Sequence, residues 1–166
     1  MSAVEGLVVR EIGADEFHLL WPIFHEVVIA ADTYSYPAEI AFDEAQRLWT
    51  GGGTRCFIGT IDDECVGGYM LRANQPGLGN HVAHAGYMVA ARFRGRGIAG
   101  ALCEHSLAQA RAAGFSAMQF NYVVSTNEVA VRLWQKHGFS IVGRVPQAFR
   151  HARLGPVDVF VMHRFL

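Results

Sequence analysis

Hydrophobic and polar residues follow two different spacings along the chain, and each spacing predicts a different kind of element. Short apolar runs bounded by Gly, Asp or Asn are typical of strands. We expect strands at residues 7–11, 55–61, 64–72, 83–89, 117–124, 140–145 and 157–165. Asp62 and Asp63 separate the second and third of these runs, which predicts a tight hairpin.

Apolar residues at helical spacing predict four helices between these strands. The first runs from a cap at Asp15 to about Ala31, and Pro22 inside it either kinks the helix or moves its start. The other three are expected at residues 42–50, from Ile98 to just before Gly114, and at residues 125–137. Ser125-x-x-Glu128 matches a capping box at the start of the last helix.

The order of these elements predicts the fold class. Strands come first in hairpins and then alternate with helices, which is typical of a mixed α/β sheet. We expect six to seven strands, about four helices and one domain over residues 1–166. A longer turn covers residues 74–80, and a basic loop with Arg150, His151 and Arg153 joins the last two strands. The apolar C-terminal strands also suggest a homodimer.

Composition narrows the classes of function. Hydrophobic residues make up 51% of the chain and charged residues 17%, which is typical of a well-buried globule. A formal net charge of -1 argues against a broad nucleic-acid surface. No apolar run approaches the roughly 20 residues of a membrane span, and the sequence shows no signal-peptide pattern. We therefore expect a cytoplasmic protein without nucleic-acid or membrane partners.

Neither the cysteines nor the histidines indicate a metal site. Cys56, Cys65 and Cys103 lack C-x-x-C spacing, so reduced thiols are expected rather than disulfides or a zinc knuckle. His81 and His84 are spaced H-x-x-H, but no third ligand lies near them in sequence. No metal is therefore predicted.

Residues 86–100 combine the end of a strand, a basic turn and a helix start. The turn carries Arg92, Arg94 and Arg96 together with Gly95 and Gly97. A helix N-terminus presents free N–H groups and a partial positive charge, and glycines let an anion approach those groups closely. The pattern predicts a phosphate-binding turn.

Two well-known phosphate motifs do not explain this turn. Gly95-x-Gly97-x-x-Gly100 matches a dinucleotide fingerprint, but that motif needs an acidic residue about 20 positions later. No acidic residue occurs between Glu104 and Glu128, and residues 91–94 separate the strand from the first glycine. A P-loop also fails, because no Lys-Ser/Thr pair follows the glycines. A nicotinamide-dependent oxidoreductase is therefore disfavoured.

The remaining pattern is R-x-x-G-x-G/A, present as Arg94-Gly95-Arg96-Gly97-Ile98-Ala99. With its preceding strand, it resembles the GNAT superfamily of acetyl-coenzyme A (acetyl-CoA) dependent N-acetyltransferases. Residues 127–139, NEVAVRLWQKHGF, also resemble that family's N-x-x-A-x-x-L-Y-x-x-x-G-F segment, with Trp134 in place of the tyrosine. The resemblance implies the GNAT fold, acetyl-CoA as acetyl donor and no metal.

The resemblance also implies the cofactor site. In this family the backbone of the strand before the turn bonds the pantetheine arm, which points to Tyr87, Met88 and Val89. The N–H of Tyr87 or Met88 is then the expected oxyanion donor, and Asn127 contributes a side-chain contact to the cofactor. The positions implied to bind the diphosphate or pantetheine are Tyr87, Met88, Val89, Arg94, Gly95, Arg96, Gly97, Ile98, Ala99, Gly100, Asn127 and Trp134.

The acceptor side is implied more loosely. Tyr34 and Tyr36 form either a plain loop or a wall of the acceptor site. Gln119 and Asn121 share one face of a strand, where buried amides need partners in the main chain or in a substrate carboxylate. Residues 120–139 also resemble a GNAT subgroup that includes a yeast acetyltransferase for azetidine carboxylate, a proline analogue. That likeness marks Asn121 for substrate contact and catalysis.

Missing acid and base groups suggest an easily deprotonated acceptor. The family's base positions align with Ala83 and Ala85, with His84 expected to face the other way, and Trp134 cannot act as the usual acid. Deprotonating a lysine amine of pKa about 10.4 at pH 7 costs about 5 kcal/mol, whereas an α-amino group of about 7.7–8.0 costs ~1 kcal/mol. We therefore expect a small-molecule amine such as an amino acid. The alternatives are a catalytically impaired acyl-CoA sensor and a protein N-terminal or lysine acetyltransferase.

Overall fold

A computed structural model describes residues 4–166, in which strands and helices alternate along the chain. The strands are β1 (Val8–Ile12), β2 (Arg55–Ile61), β3 (Glu64–Ala73), β4 (Val82–Val89), β5 (Ala117–Val124), β6 (Ser140–His151) and β7 (Gly155–Phe165). The helices are α1 (Trp21–Ile29), α2 (Phe42–Thr50), α3 (Ile98–Ala112) and α4 (Glu128–Lys136). Short 3₁₀ helices cover Ala14–Leu19, Gly77–Gly79 and Ala91–Phe93. No helix within residues 4–166 is both long enough and apolar enough to cross a membrane.

All seven strands join one sheet in the order β1-β2-β3-β4-β5-β7-β6. Neighbouring strands are antiparallel except for β4 and β5, which are parallel. Asp62 and Asp63 form the β2–β3 turn with φ of 48° and 63°, the positive values that a two-residue type I′ hairpin requires. The predicted mixed α/β sheet with about four helices is confirmed.

Helices cover both faces of the sheet and create two separate cores. One core lies under α3 and α4 and includes Phe57, Tyr69, Leu102, Met118, Phe139 and Met162. The other lies under α1 and α2 and includes Phe17, Phe24, Trp49, Ile58, Met70 and Met88. Alternate residues of the central strands therefore point into different cores.

The first helix begins later than expected. A 3₁₀ helix occupies Ala14–Leu19, and α1 starts only at Trp21 with Pro22 in its first turn. Proline suits that position because its missing N–H would have no helical partner there. Asp15 consequently lies inside the 3₁₀ helix and is not a cap of α1.

The start of α4 also differs from the predicted capping box. Asn127 is the N-cap, and its Oδ1 accepts a hydrogen bond from the backbone N–H of Ala130 at 3.3 Å. Ser125 lies before the helix, and Glu128 pairs with Arg132 at 3.0 Å on the exposed surface. The amide at position 127 therefore performs the capping role expected of Ser125.

The β6–β7 hairpin is longer than expected. Arg150 and His151 belong to β6 rather than to a connecting loop, and the strand pairing is interrupted by a shift near Gln147, whose φ is 52°. At the turn, the N–H of Ala152 donates a hydrogen bond to the carbonyl oxygen of Ala31 at 3.1 Å. The hairpin tip is thus attached to the loop that follows α1.

Candidate active site

Strands β4 and β5 diverge in the middle of the sheet. They pair only where Val82 and Ala83 meet Ala117 and Met118, although both strands continue beyond that point. A cleft of about 1130 Å³ opens at the divergence and reaches both faces of the sheet. Peptide groups on one edge of β4 are therefore available to a bound molecule, as in β-strand addition.

The hydrogen bonds of β4 identify which peptide groups face this cleft. The N–H of Ala90 donates to Val66 of β3 at 3.0 Å, so by alternation the even-numbered residues of β4 pair with β3. The carbonyl of Tyr87 instead accepts a hydrogen bond from the Tyr34 hydroxyl at 2.9 Å. Tyr87 and Val89 therefore direct their peptide groups toward the cleft, and the geometry favours the N–H of Tyr87 over that of Met88 as an oxyanion donor.

The turn before α3 has the backbone geometry of an anion site. Gly95 and Gly97 have φ of 76° and 81°, which is a left-handed conformation that few other residues adopt. Gly97 is the N-cap of α3 and, having no side chain, makes no capping hydrogen bond to the first turn of this helix. A Cβ at Gly95 would meet no other atom of residues 4–166 within 4 Å, so this approach is open. The turn suits the diphosphate of acetyl-CoA.

The three arginines of the turn have different surroundings. Arg94 lines the cleft, whereas Arg92 forms an ion pair with Glu64. The guanidinium of Arg96 lies 5.0 Å from the centroid of the Phe93 ring and outside the cleft lining. Arg94 is therefore the turn's guanidinium best placed to approach a bound diphosphate.

Trp134 forms an apolar wall of the cleft. Its ring is 8% exposed and lies 4.8 Å from the Tyr87 ring and 5.0 Å from the Phe120 ring. The Tyr87 hydroxyl bonds the Ser106 hydroxyl at 2.7 Å within the core under α3. Tyr87 can therefore contribute its backbone to the cleft while its side chain stays in the core.

The even-numbered side chains of β4 face the other side, and His84 is one of them. Its Nδ1 lies 3.0 Å from the carbonyl oxygen of Gln119, so Nδ1 carries the proton and Nε2 carries a free lone pair. The ring of His84 is largely buried and lines the cleft, but Nε2 keeps some contact with solvent and has no hydrogen-bond partner among residues 4–166. Burial lowers the pKa of His84 from its ordinary value, with a smaller contribution from the charge of Arg72. The imidazole is therefore neutral at pH 7.

Ala83 and Ala85 do not lie on this face. Both are buried in the core under α3, at 0% and 3% exposure. The family resemblance places the base positions at these alanines and implies that His84 faces away from the reaction. His84 does lie on the opposite face of β4 from the alanines. The residues predicted to bind the acceptor, however, lie on the same face as His84.

Asn121 and Gln119 bond to each other. Gln119 Nε2 donates to Asn121 Oδ1 at 2.9 Å, and Asn121 Nδ2 donates to Asn74 Oδ1 at 2.6 Å. Their partners are thus side-chain amides rather than the main chain. Asn121 lines the cleft with one N–H left over, whereas Gln119 lies behind it.

The tyrosines of the loop after α1 form a stacked pair against the cleft. The rings of Tyr34 and Tyr36 are 5.6 Å apart and inclined by 11°. The Tyr36 hydroxyl accepts a hydrogen bond from Trp49 Nε1 at 3.2 Å. A Cβ at Gly86 would lie 3.0 Å from the Tyr34 hydroxyl, so glycine permits this close contact. Burial raises the pKa of Tyr34, which keeps its hydroxyl protonated.

The structure therefore brings nearly all of the predicted site residues around one cleft. Every predicted position except Arg96 and Gln119 contributes to its lining. Sequence reasoning missed His84 as an acceptor-side residue and did not single out Arg72, its partner on β3. Antiparallel pairing of the two predicted strands, 64–72 and 83–89, would have placed Arg72 and His84 side by side.

Asn127 can be tested for two roles at once. Its Oδ1 caps α4, which leaves Nδ2 available at the cleft. We expect Asn127→Ala to lower the free energy of unfolding by about 1 kcal/mol and to weaken acetyl-CoA binding. Asn127→Asp should keep the cap and the stability but still weaken binding. Thermal unfolding and titration calorimetry measure the two effects, and unchanged affinity in both variants would leave only the capping role.

Comparisons with known proteins agree with this geometry. The sequence profile described as "Acetyltransferase (GNAT) family" matches residues 17–139. The chain is 31% identical over 97 residues to N-acetyltransferase aca1 of Schizosaccharomyces pombe, a match that covers 58% of this chain and 46% of that protein. The match thus spans less than half the length of that curated relative.

Solved structures extend the likeness over almost the whole chain. A GCN5-related N-acetyltransferase from Kribbella flavida is 42% identical with a TM-score of 0.92, covering 99% of this chain and 100% of that one. A phosphinothricin acetyltransferase from Sinorhizobium meliloti, solved in complex with acetyl-CoA, shares the fold with a TM-score of 0.83 at 18% identity. It covers 97% of this chain and 89% of that one. Because its sequence profile covers most of the chain, this protein belongs to the GNAT family of acetyl-CoA-dependent N-acetyltransferases.

Proposed function

We propose that this protein transfers the acetyl group of acetyl-CoA to the amine of a small molecule, an amino acid or a related metabolite. Attack is direct, within a ternary complex. The observation that carries the proposal is that two groups of β4 line one cleft. His84 offers a neutral imidazole lone pair, and Tyr87 directs its backbone N–H toward the same cleft.

The residues of the cleft suit acetyl-CoA, which supplies an activated acetyl group as a thioester. The amides of Gly97 and the first turn of α3 would hold the diphosphate, and Arg94 would add charge. Asn127 Nδ2 and the edge of β4 at Tyr87 and Val89 would bond the pantetheine arm. The odd-numbered edge of β4 thus serves the donor.

His84 and Tyr87 then have different roles in the reaction. His84 Nε2 accepts a proton from the acceptor's ammonium group, and the freed amine forms the new C–N bond as the C–S bond breaks. The second proton of the nitrogen passes to solvent as the amide forms. The N–H of Tyr87 donates to the acetyl oxygen as negative charge develops there. Trp134 has no proton to give to the departing thiolate, but release unprotonated at pH 7 costs only ~2 kcal/mol for a thiol of pKa about 8.5.

The position of His84 changes the argument for the acceptor. A base is present, so the acceptor does not need an unusually low pKa to react. A small acceptor that carries a carboxylate is supported instead by charge, because Arg72 and Arg153 line the cleft with Asp32 as its single acidic residue among residues 4–166. A cationic lysine-rich peptide would be repelled by this lining.

Turnover of acetyl-CoA with a panel of amines tests the proposal. We expect release of free thiol with amino acids and no comparable release with lysine-containing peptides. Titration calorimetry with acetyl-CoA provides the second measurement. Binding of acetyl-CoA without thiol release for any amine would contradict the proposal and favour the acyl-CoA sensor.

We also propose that the protein forms a homodimer through β6. This strand is at the edge of the sheet and exposes Ile141, Val142 and Val145, with Val142 60% exposed. A second copy could cover these side chains and pair with the free edge. Light scattering should give twice the mass of one 18.2 kDa chain, and Val142→Lys should shift it toward one chain. A single-chain mass for the unmodified protein would contradict the proposal.

A further inference from the structure

We propose that Arg72 is the receptor for a carboxylate on the acceptor, so that the preferred acceptors are amino acids with a free carboxylate. This inference rests on the proposed function and assigns its substrate selectivity to one side chain. It depends on the position of Arg72, on the groups that surround it and on the chemistry of the amine.

Arg72 stands beside the proposed base. It lies near the end of β3, and its Cα is paired in register with that of His84 on β4. Its guanidinium makes no hydrogen bond or ion pair within residues 4–166, although it lines the cleft. Arg72 is exposed, and His84 and Tyr36 line the same cleft. An exposed arginine that lines a cleft without an anionic partner is available to a ligand anion.

The other groups on this side are mostly hydrogen-bond donors. His151 Nδ1 accepts from the N–H groups of Arg153 and Leu154 at 3.1 and 3.3 Å, so its proton is on Nε2. His151 lines the cleft, as does Asn121 with its remaining N–H. The lone pair of His84 and the carboxylate of Asp32 are the exceptions. A set of donors beside these acceptors complements a carboxylate next to an ammonium group.

An arginine at this position would also assist deprotonation. In a free amino acid the carboxylate raises the pKa of the neighbouring ammonium group, because the opposite charge stabilises the protonated form. Pairing of the carboxylate with Arg72 offsets that effect and lowers the pKa of the bound amine. His84 can then accept the proton more easily. Arg72 therefore acts on both affinity and the proton transfer.

Pairs of acceptors that differ only in the carboxylate test the inference. Each amino acid is compared with its own carboxamide, by kcat/KM from thiol release. The carboxamide has more neutral amine at pH 7, so a preference for the acid cannot come from amine basicity. We expect kcat/KM to favour the acid by about 10-fold or more, as charge-assisted hydrogen bonds would give.

Substitution of Arg72 should remove that preference. We expect Arg72→Gln to lower kcat/KM for the acid by about 10- to 100-fold, mainly through KM, and to change the carboxamide by less than about threefold. Arg72→Lys should recover part of the loss, since it keeps the charge without the two-pronged geometry. Arg111→Gln on the exposed side of α3 is the matched control and should behave as the unmodified protein.

Binding of N-acetyl amino acids, measured by calorimetry, separates this inference from the proposed function. Weaker binding to Arg72→Gln would support the receptor even if no amine were acetylated. Equal kcat/KM for acid and carboxamide, or equal binding of the N-acetyl product by Arg72→Gln, would overturn the inference. In that case acetyl transfer itself would still stand on thiol release.

Discussion

Replacement of His84 by glutamine is expected to lower kcat by about 100- to 10,000-fold, the range typical of a lost general base. The glutamine side chain would retain much of the bulk of the imidazole but could not accept a proton at this position. Because burial lowers the pKa of His84, the unmodified protein should stay active at about pH 6.5 and lose activity only below that value. In the variant, kcat should instead rise continuously toward the pKa of the amine. The measurement is kcat by thiol release from about pH 5 to about pH 9.

His18 offers a matched control for this substitution. It also directs Nδ1 to a carbonyl oxygen, that of Asp15 at 2.9 Å, but it is exposed and lies outside the cleft. His18→Gln should leave kcat and its pH dependence unchanged. If His84→Gln kept kcat within about threefold, or kept the acidic limb of its profile, the base would have to be a different group.

Replacement of Gly97 by valine is expected to weaken acetyl-CoA binding by about 10- to 100-fold, equivalent to losing one charge-assisted hydrogen bond. Gly97 has a φ of 81° at the N-cap of α3, where a β-branched residue is strained. The backbone would turn away from the left-handed region and carry its N–H groups with it. Titration calorimetry with acetyl-CoA measures the change.

Gly114, which follows the other end of α3, provides the control. It has a φ of 84°, close to that of Gly97, and a Cβ added there would meet no atom of residues 4–166 within 4 Å. Gly114→Val should lower the free energy of unfolding by about 1–2 kcal/mol, as Gly97→Val does, through the same backbone strain. It should not change acetyl-CoA affinity. Equal losses of affinity in the two variants would indicate a general loss of structure rather than a damaged phosphate site.

Much of the fold could be predicted because its elements have clear boundaries in sequence. The limits of α2, β2 and β5 agree with those expected at 42–50, 55–61 and 117–124. Glycines end α2, and a two-residue turn ends β2, so local chemistry is decisive there. The glycine turn before α3 was also predictable, since Gly95 and Gly97 stand at a strand–helix junction and both have positive φ.

The remaining differences arose where two local preferences competed. Pro22 could have kinked a long helix, but its preference for a first turn moved the start of α1. Ser125 and Asn127 both suit a cap, and Asn127 occupies it. Arg150, His151 and Arg153 were expected in a basic loop, whereas β6 is an edge strand that tolerates Pro146 and an irregular register and continues to His151.

The site was harder to predict than the fold because tertiary packing decides which face of each strand is covered by a helix. Alternation along β4 correctly separated His84 from Ala83 and Ala85, but sequence alone did not tell which face would be covered by α3. Only the pairing of β3 with β4 shows that Arg72 lies beside His84. Single residues with ordinary surroundings in sequence thus became candidates for a role only through their neighbours in space.

The alternation of β4 has an evolutionary consequence. In the proposed mechanism, even-numbered positions such as His84 serve the acceptor and odd-numbered positions such as Tyr87 serve acetyl-CoA, so point substitutions could diversify the acceptor while the donor side is inherited unchanged. Insertion or deletion of one residue within the strand would exchange the two sets and place His84 in the core. Divergence of this lineage should therefore proceed by replacement within β4 and by length changes only in the loops around it.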